Sequence, residues 1–250
     1  MTQTSAGDAV TGDAWGIALL DYLEGREVVQ PVLEVDDGSV MPAMHPEWFF
    51  RDFDRWDWWD REMLSTVDAG PVLDLGAGAG RAALYLQGRG LAVTAVESSP
   101  AAAEVCRRRG VLDARVGDLN EPPSDQRWGT ILLLCGNLGL GGSWVGNRRL
   151  LRRLAAVAAP GALLIGDSVN YEGRSEIGLR IRYRELVTPW WRQRNVSSPE
   201  VADLVAGTGW TVERQIEDGV DHSVALRRDE TPEHLVRPAS IDDVGVRIRA

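Results

Sequence analysis

Apolar and polar positions follow one repeating pattern over most of the chain after Gly70. Short apolar runs bounded by turn-forming residues alternate with longer stretches of helical spacing. Strands buried on both faces of a parallel sheet have this near-continuous apolar character, and helices of about 10–15 residues connect them. The pattern therefore predicts βα units and an α/β fold. The apolar runs are PVLDLG, LAVTAVE, ARVGDL, GTILLLCG and GALLIGDSV.

The pattern before Gly70 is different. Residues 1–13 are small and polar, which predicts disorder. AWGIALLDYLEG has the spacing of an amphipathic helix, VLEVDDGSV that of a short strand and turn, and the tryptophan-rich HPEWFFRDFDRWDWWDREML predicts a second helical stretch. We therefore assign residues 14–69 to a helical lid over the ligand-binding edge of the domain that follows.

The C-terminal part adds three predicted elements. GLRIRYREL predicts a strand, and SSPEVADLVAGTGW predicts a helix that begins at Ser197 or Ser198, with Pro199 in its first turn. TVERQIEDGVDHSVALRR alternates around an Asp-Gly turn, as a bent strand or hairpin does. These elements complete a domain at 70–229, and the weakly patterned residues 230–250 are predicted to be a flexible tail.

Composition narrows the function classes. The 250 residues carry 37 acidic and 27 basic side chains, a net charge of −10, and every basic residue is an arginine. This balance argues against a nucleic-acid partner. No apolar run reaches the about 18 residues of a membrane span, and the first residues lack the features of a secretory signal. Only two cysteines are present, without ligand spacing, so we expect no metal site and a reduced, cytoplasmic setting.

The stretch VLDLGAGAGRAA places three alternating glycines directly after a predicted strand. Gly76, Gly78 and Gly80 remove Cβ atoms where a ligand would lie against the backbone, next to the positive end of the following helix. The string also fits the dinucleotide fingerprint G-x-G-x-x-A, ending at Ala83. The glycines alone therefore leave the ligand open between a dinucleotide and another nucleoside.

Three acids follow predicted strand ends. Asp74 lies beside the glycine turn, where a carboxylate repels a pyrophosphate and attracts a cation. S-adenosylmethionine (SAM) carries a sulfonium and an ammonium and no phosphate, so this acid favours SAM over NAD. Glu97 ends the second strand, where an acid accepts ribose hydroxyls, and Asp118 follows the third strand, where it can accept from an adenine amino group.

The chain from about Gly70 to Arg228 resembles the class I SAM-dependent methyltransferases. VLDLGAGAG resembles their first motif. VTAVESSP resembles the acidic end of their second strand, and GDLN resembles the end of their third strand. TILLLCGNLGLGG resembles their fourth-strand motif, and GALLIGDSV resembles their fifth strand. The resemblance implies a Rossmann-like three-layer sandwich with a seven-stranded, mostly parallel sheet whose last strand is antiparallel. It also implies SAM as cofactor and S-adenosyl-L-homocysteine (SAH) as product.

The resemblance also assigns candidate roles. The implied cofactor-binding residues are Asp74, Gly76, Gly78, Gly80, Glu97, Ser98, Asp118, Leu119, Cys135 and Asn137. The GNLG form resembles members that act on small molecules, and the N/D-P-P-Y tetrapeptide of enzymes that methylate nucleic-acid bases is absent. We therefore expect a small-molecule acceptor methylated on oxygen or nitrogen; the oligomeric state stays open.

Acceptor-binding candidates lie outside these motifs. Trp48 and Trp56 belong to the aromatic segment predicted to cover the site, and His45 is the candidate general base. Arg180 and Arg182 share one face of a predicted strand, with Tyr183 beside them, which suggests the hypothesis of an anionic acceptor.

Two other functions are compatible with the residues. An NAD(P)-dependent oxidoreductase would use the overlapping dinucleotide fingerprint, and a non-catalytic SAM-binding protein would need no base at all.

Overall fold

A computed structural model describes residues 10–170 and 174–230 as two β-sheets and six α-helices. The helices are α1 (Ala14–Leu23), α2 (Trp58–Ser65), α3 (Arg81–Gly88), α4 (Pro100–Arg109), α5 (Trp144–Val157) and α6 (Val201–Val205). The strands are β1 (Val10–Thr11), β2 (Val32–Val35), β3 (Val40–Pro42), β4 (Val72–Leu75), β5 (Val93–Glu97), β6 (Asp113–Val116), β7 (Trp128–Leu133), β8 (Ala158–Val169), β9 (Glu176–Tyr183), β10 (Leu186–Val187), β11 (Trp191–Arg194), β12 (Trp210–Asp218) and β13 (Asp221–Arg228).

The larger sheet has seven strands in the order β12-β13-β8-β7-β4-β5-β6. Strands β4 to β8 are mutually parallel, whereas β13 pairs antiparallel with both β8 and β12. This arrangement confirms the predicted seven-stranded sheet with an antiparallel last strand. After β4, the chain adds β5 and β6 on one side of this strand and then β7 and β8 on the other side. Ligands of such sheets bind at the point where the strand order switches sides.

Both faces of the larger sheet are covered, which explains the apolar runs in the sequence. Val72 and Leu132 belong to a core cluster with α2 and α3, whereas Leu73 and Ile131 belong to a cluster with α5 and α6. Successive strand residues point to opposite faces, so a strand covered on both sides must be apolar at every position. The result is the three-layer sandwich.

A second sheet, which the sequence did not predict, lies beside the first. Its order is β1-β10-β9-β2-β3, with β11 also paired to β9. The segment 14–69 contributes the strand predicted at VLEVDDGSV, β2, which pairs with β3 and with β9. GLRIRYREL does form a strand, β9, but in the second sheet. The antiparallel closing pair of the larger sheet is the β12–β13 hairpin.

Residues 10–13 depart from the predicted disorder. Val10 and Thr11 pair with β10, and Asp13 caps α1 by accepting a hydrogen bond from the Gly16 N–H. The same carboxylate accepts from the Ser99 hydroxyl at 2.8 Å and the Ala101 N–H at 2.9 Å. One side chain thus caps both α1 and α4. This shared cap fixes α1 against a helix that covers the larger sheet. Residues 1–9 and most of the predicted tail, 231–250, lie outside the described residues.

The tryptophan-rich segment is also less helical than predicted. Two 3₁₀ turns, Pro46–Phe50 and Phe53–Arg55, precede α2. Extended backbone separates the three elements, at ψ near 146° for Arg51 and 164° for Trp56. The Trp56 indole N–H donates to the Arg51 carbonyl at 2.8 Å, so the aromatic side chain stabilises the interruption of the helix. None of the helices in the described ranges has the length and apolarity of a bilayer-spanning segment.

Two glycine substitutions test this packing. A Cβ on Gly129 in β7 would lie 2.8 Å from the Gly70 carbonyl oxygen, whereas a Cβ on Gly88 in α3 meets nothing within 4 Å. We expect Gly129→Ala to lower the free energy of unfolding by about 1–3 kcal/mol, and Gly88→Ala to leave it unchanged or raise it by up to about 1 kcal/mol. Urea denaturation of both variants measures the difference, and equal effects would contradict the packing described.

Candidate functional site

The carboxyl ends of β4, β5, β6 and β7 meet at a cavity of about 840 Å³. The second sheet and the segment around Met44 cover it, so the cavity lies between the two sheets. Its volume is that of a nucleoside-sized ligand site. The lining residues from the larger domain include Gly76, Gly78, Glu97, Ser98, Asp118, Leu119, Cys135 and Asn137, and those from the second sheet include Leu33, Ile181 and Trp191.

The glycine turn presents bare backbone to this cavity. Gly76 and Gly78 have positive φ angles of 77° and 57°, which residues with side chains rarely adopt. The Gly78 N–H donates to Glu97 Oε2 at 2.9 Å, and the Ser99 N–H donates to Oε1 at 3.2 Å. Gly80 also has a positive φ, but its missing Cβ makes room for Val111 and Cys106, so this glycine allows helix packing and does not line the cavity.

Asp74 lies behind the glycine turn. Its side chain is 2% exposed, Oδ2 has no hydrogen-bond partner among the described residues, and it does not line the cavity. Burial raises the pKa of Asp74 to about 7, the charge of Glu97 adds to the rise, and Arg81 opposes it. The structure therefore does not place this acid where it could contact a ligand in the cavity directly.

The other predicted cofactor residues do lie on the cavity wall. Ser98 donates to the Glu97 carboxylate at 3.3 Å, and the exposed Asp118 accepts from the Asn120 N–H at 2.8 Å. The Asn137 side-chain amide donates to the Leu75 carbonyl at 3.0 Å, so it joins the end of β4 to the loop after β7. Leu119 adds an apolar contact between these polar groups.

A second cavity of about 470 Å³ lies next to the first. Met44, Cys135 and Gln193 line both cavities, so the two meet at the end of β7. The smaller cavity lies under the 3₁₀ turn Pro46–Phe50 and α2. Its other lining residues include His45, Glu47, Trp48, Arg51, Asp57, Trp59, Asp60, Asp167 and Asp221.

Arg81, the first residue of α3, connects the glycine turn with the covering segment. Arg81 is 5% exposed and its guanidinium donates to Asp60 Oδ2 at 2.6 Å, and Asp60 is 3% exposed. The guanidinium carbon lies 3.5 Å from the ring centre of Trp48 and 4.4 Å from that of Trp56. These contacts combine a buried ion pair with cation–π stacking.

Asp167, near the end of β8, holds the loop where the two cavities meet. Its carboxylate accepts the N–H groups of Cys135, at 2.8 Å, and of Gly136. Cys135 has a φ of 63°, an unusual angle for a residue with a side chain, and these two bonds fix it. Burial raises the pKa of Asp167 to about 7, and the charge of Asp60 contributes.

The acceptor residues predicted from the sequence are only partly placed at the cavities. His45 and Trp48 line the smaller one, and His45 Nδ1 accepts the Glu47 N–H at 3.3 Å. Trp56 is buried against Arg81 and the core. Arg180 and Arg182 both donate to Glu34, at 2.6 and 2.5 Å, on the strand face opposite the cavity-lining Ile181.

Tyr183 is buried against α1 and donates to Asp21 at 2.9 Å. These placements argue against acceptor contacts by Arg180, Arg182, Tyr183 and Trp56, because the polar groups of the first three already have partners within the fold.

The sequence reasoning missed Arg81, Asp60 and Asp167. Arg81 directly follows the glycine turn and Asp167 lies within the predicted fifth strand, so their positions at the site edge carried a signal. Asp60 gave none, because its role depends on how the covering segment packs. Among the described residues, no group of three His, Cys, Asp or Glu side chains is placed to hold a metal ion.

Comparisons with known proteins agree with this geometry. A family model described as a methyltransferase domain matches residues 72–161. A SAM-dependent methyltransferase from Bacteroides fragilis, solved with SAH, superposes with a TM-score of 0.78 at 22% identity, covering 89% of this chain and 99% of that one. No curated protein sequence matches the chain.

Two further solved structures share the fold at lower similarity. The CcbJ methyltransferase from Streptomyces caelestis superposes with a TM-score of 0.55 at 18% identity, covering 71% of this chain and 94% of that one. The glycopeptide N-methyltransferase MtfA, solved with SAM, gives 0.51 at 20% identity, covering 66% of this chain and 84% of that one.

The buried ion pair makes a stability prediction. Arg81→Met leaves the Asp60 carboxylate buried without its partner, and we expect the free energy of unfolding to fall by about 3–5 kcal/mol. The double variant Arg81→Met/Asp60→Leu removes the Asp60 charge together with its hydrogen-bonded partner, so we expect it to recover much of that loss. A double variant as unstable as the sum of the two single variants would contradict the pairing. Urea denaturation of the four proteins at one pH measures the coupling.

The raised pKa of Asp74 makes a pH prediction. Because its folded pKa, about 7, exceeds the ordinary value of 3.8, the folded state binds the proton more tightly, and Asp74 lowers stability as pH rises between these values. Asp74→Asn should therefore be more stable relative to wild type at pH 8 than at pH 5. Asp113→Asn provides the control, because Arg115 lowers the pKa of Asp113 below its ordinary value of 3.8. That carboxylate is ionised in the folded and unfolded states at both pH values, so the stability of this variant relative to wild type should be the same at pH 5 and pH 8. Urea denaturation at both pH values tests the pair.

Proposed function

We propose that the chain is a class I SAM-dependent methyltransferase that transfers the SAM methyl group to a nitrogen or oxygen of a small-molecule acceptor. A methyltransferase-domain model matches residues 72–161, and the fold is that of a SAM-dependent methyltransferase. The observation that carries this proposal is the junction of two cavities at Cys135, beside the glycine turn. One cavity has the size and polar groups for the methyl donor, and the other leaves room for an acceptor. Methyl transfer requires the two molecules to meet in line at one point.

The larger cavity suits SAM. Glu97 would accept the ribose hydroxyls, and Asp118 with Leu119 would border the adenine. The backbone of Gly76 and Gly78, with Asn137, would hold the methionine part. Asp74 would add negative potential from behind the turn, where its unpartnered oxygen already lies. Glu97 would keep its bonds to the Gly78 and Ser99 amides, which orient its carboxylate.

The smaller cavity suits the acceptor. Residues 14–69 and the second sheet would exclude water from the reacting atoms, and residues 70–229 would supply the SAM site. The cavity's volume of about 470 Å³ favours a small molecule, or one group of a larger molecule. The similarity in fold to a glycopeptide N-methyltransferase supports nitrogen as one of the two candidate atoms.

The chain's own contribution to the reaction is mainly positional. The donor and acceptor would each be fixed by their cavity walls, and Cys135 and Gly136 would set the distance at the junction. Asp167 holds that loop in place through its two backbone bonds. SAM supplies the electrophilic methyl group, so the protein needs no covalent intermediate of its own.

Binding of SAH tests the proposed donor site. Glu97→Gln removes the charge that would accept the ribose hydroxyls, and charged hydrogen bonds contribute about 1.5–3 kcal/mol. We therefore expect SAH affinity to fall about 10- to 100-fold, as measured by isothermal titration calorimetry. Glu104→Gln, at an exposed position of α4, should leave the affinity unchanged. Binding of NAD by the wild-type protein without binding of SAH would overturn the proposal.

A further inference from the structure

The smaller cavity carries one predominant sign of charge. Five acids line it, Glu47, Asp57, Asp60, Asp167 and Asp221, whereas Arg51 is the one arginine among the described lining residues. Arg81 lies behind the wall and is engaged by Asp60 and two tryptophan rings. A cleft lined by like charges with low-dielectric walls concentrates its potential, and this one attracts cations.

The acids interact with one another, and not only with solvent. The pKa of Asp60 is raised by burial, and the charges of Asp57 and Asp221 add to the rise. The pKa of Asp221 is raised by burial and by the charge of Asp57. Like charges brought together in a partly dry cavity disfavour their own ionised forms, and a cation placed among them relieves that repulsion.

Two side chains have free capacity for such a cation. Asp60 is 3% exposed and lines the cavity, and its Oδ1 has no hydrogen-bond partner within the described ranges. The Asp221 carboxylate likewise has no partner in those ranges, although it lines the same wall. Buried or half-buried polar groups normally find partners, so free carboxylate oxygens around a cavity point to a bound donor.

The remaining walls suit an organic cation. Trp48 and Trp59 line the cavity with aromatic faces or edges. Aromatic rings attract ammonium groups as well as packing against apolar carbon. The acids do not form a three-ligand set of the kind a metal ion needs, as far as the described residues go.

We propose that the acceptor is a small-molecule amine that enters the smaller cavity as an ammonium ion. This inference rests on the proposed function and names the substrate class of the same site. Asp57, Asp60 and Asp221 would bind the ammonium, with the tryptophans against its apolar part. An anionic acceptor, as the arginines of β9 had suggested, would meet repulsion here.

The chemistry requires the ammonium to lose one proton before transfer. Asp167, held against Cys135 at the junction, is the carboxylate placed to take it, since two of its lone-pair positions stay free after the two backbone bonds. The neutral nitrogen then donates its lone pair to the methyl carbon. The carbon–sulfur bond breaks with its electron pair on sulfur. The products are SAH and the N-methylated acceptor, which carries the positive charge.

Three probes that share a ring isolate the effect of charge: benzylamine, benzyl alcohol and benzoate. Each is titrated into the full-length protein saturated with SAH, so the donor site is filled and only the smaller cavity is available. We expect benzylamine to bind about 10-fold or more tightly than benzyl alcohol, since one tenfold step corresponds to about 1.4 kcal/mol. We expect benzoate to bind more weakly than either.

Matched variants assign the effect to this cavity. Asp57→Asn/Asp221→Asn keeps the shapes of the side chains and removes two charges, and we expect it to abolish the preference for benzylamine. Asp203→Asn, at an exposed position on α6, should preserve the preference. SAH affinity should be the same in all three proteins, because neither Asp57 nor Asp221 lines the larger cavity.

The outcomes of these titrations distinguish failure of the amine proposal from failure of the proposed function. A preference for benzylamine that the double variant loses supports the amine acceptor. Equal or tighter binding of the alcohol or benzoate, no binding of any probe, or a preference that survives in the double variant overturns it. Failure of the wild-type protein to bind SAH overturns the proposed function instead, because the first titration detects it before any probe is added.

Discussion

The buried guanidinium of Arg81 is the contact that holds the covering segment of the smaller cavity against the glycine turn. It begins the helix after the glycine turn, pairs with Asp60 of α2, and stacks on Trp48 and Trp56 of the covering segment. Asp60 and the two tryptophans belong to the covering segment, whereas Arg81 follows the glycine turn, so one cation connects the two parts of the site. Without this guanidinium, Asp60, Trp48 and Trp56 would lose their ion pair and cation–π contacts with the helix after the glycine turn.

The same cation compensates for a concentration of buried acid. Arg81 lowers the pKa values of Asp74, Asp60 and Asp167, while burial raises all three. A protein selected for stability alone would place apolar residues here, because buried charges contribute little net stability. These acids are consistent with the proposed binding of positively charged molecules at this site. Locally unfavourable groups of this kind are common at functional sites.

Much of the fold followed from the sequence. The apolar runs after Gly70 predicted the parallel strands, because strands covered on both faces must be apolar throughout. The glycine turn and the acids at strand ends predicted the cavity edge, and Glu97, Ser98, Asp118, Leu119 and Asn137 line it. The second sheet was not predictable in the same way. Its strands β1, β3, β10 and β11 have two to four residues each, and strands this short give no period long enough to detect. The strand β2 was predicted, but its pairing with β9 joins residues far apart in the chain, and no local pattern indicates it.

What the sequence determined by itself was local: which segments are strands, where the backbone is bare, and which acids end the strands. These features depend on neighbouring residues and on the fixed periods of helix and strand. The tertiary structure alone decided which charges meet. Arg180 and Arg182 pair with Glu34, more than a hundred positions earlier, whereas Asp57, Asp60, Asp167 and Asp221 come together around one cavity. The sign of the charge in a binding site arises from such distant pairings, and no local pattern records them.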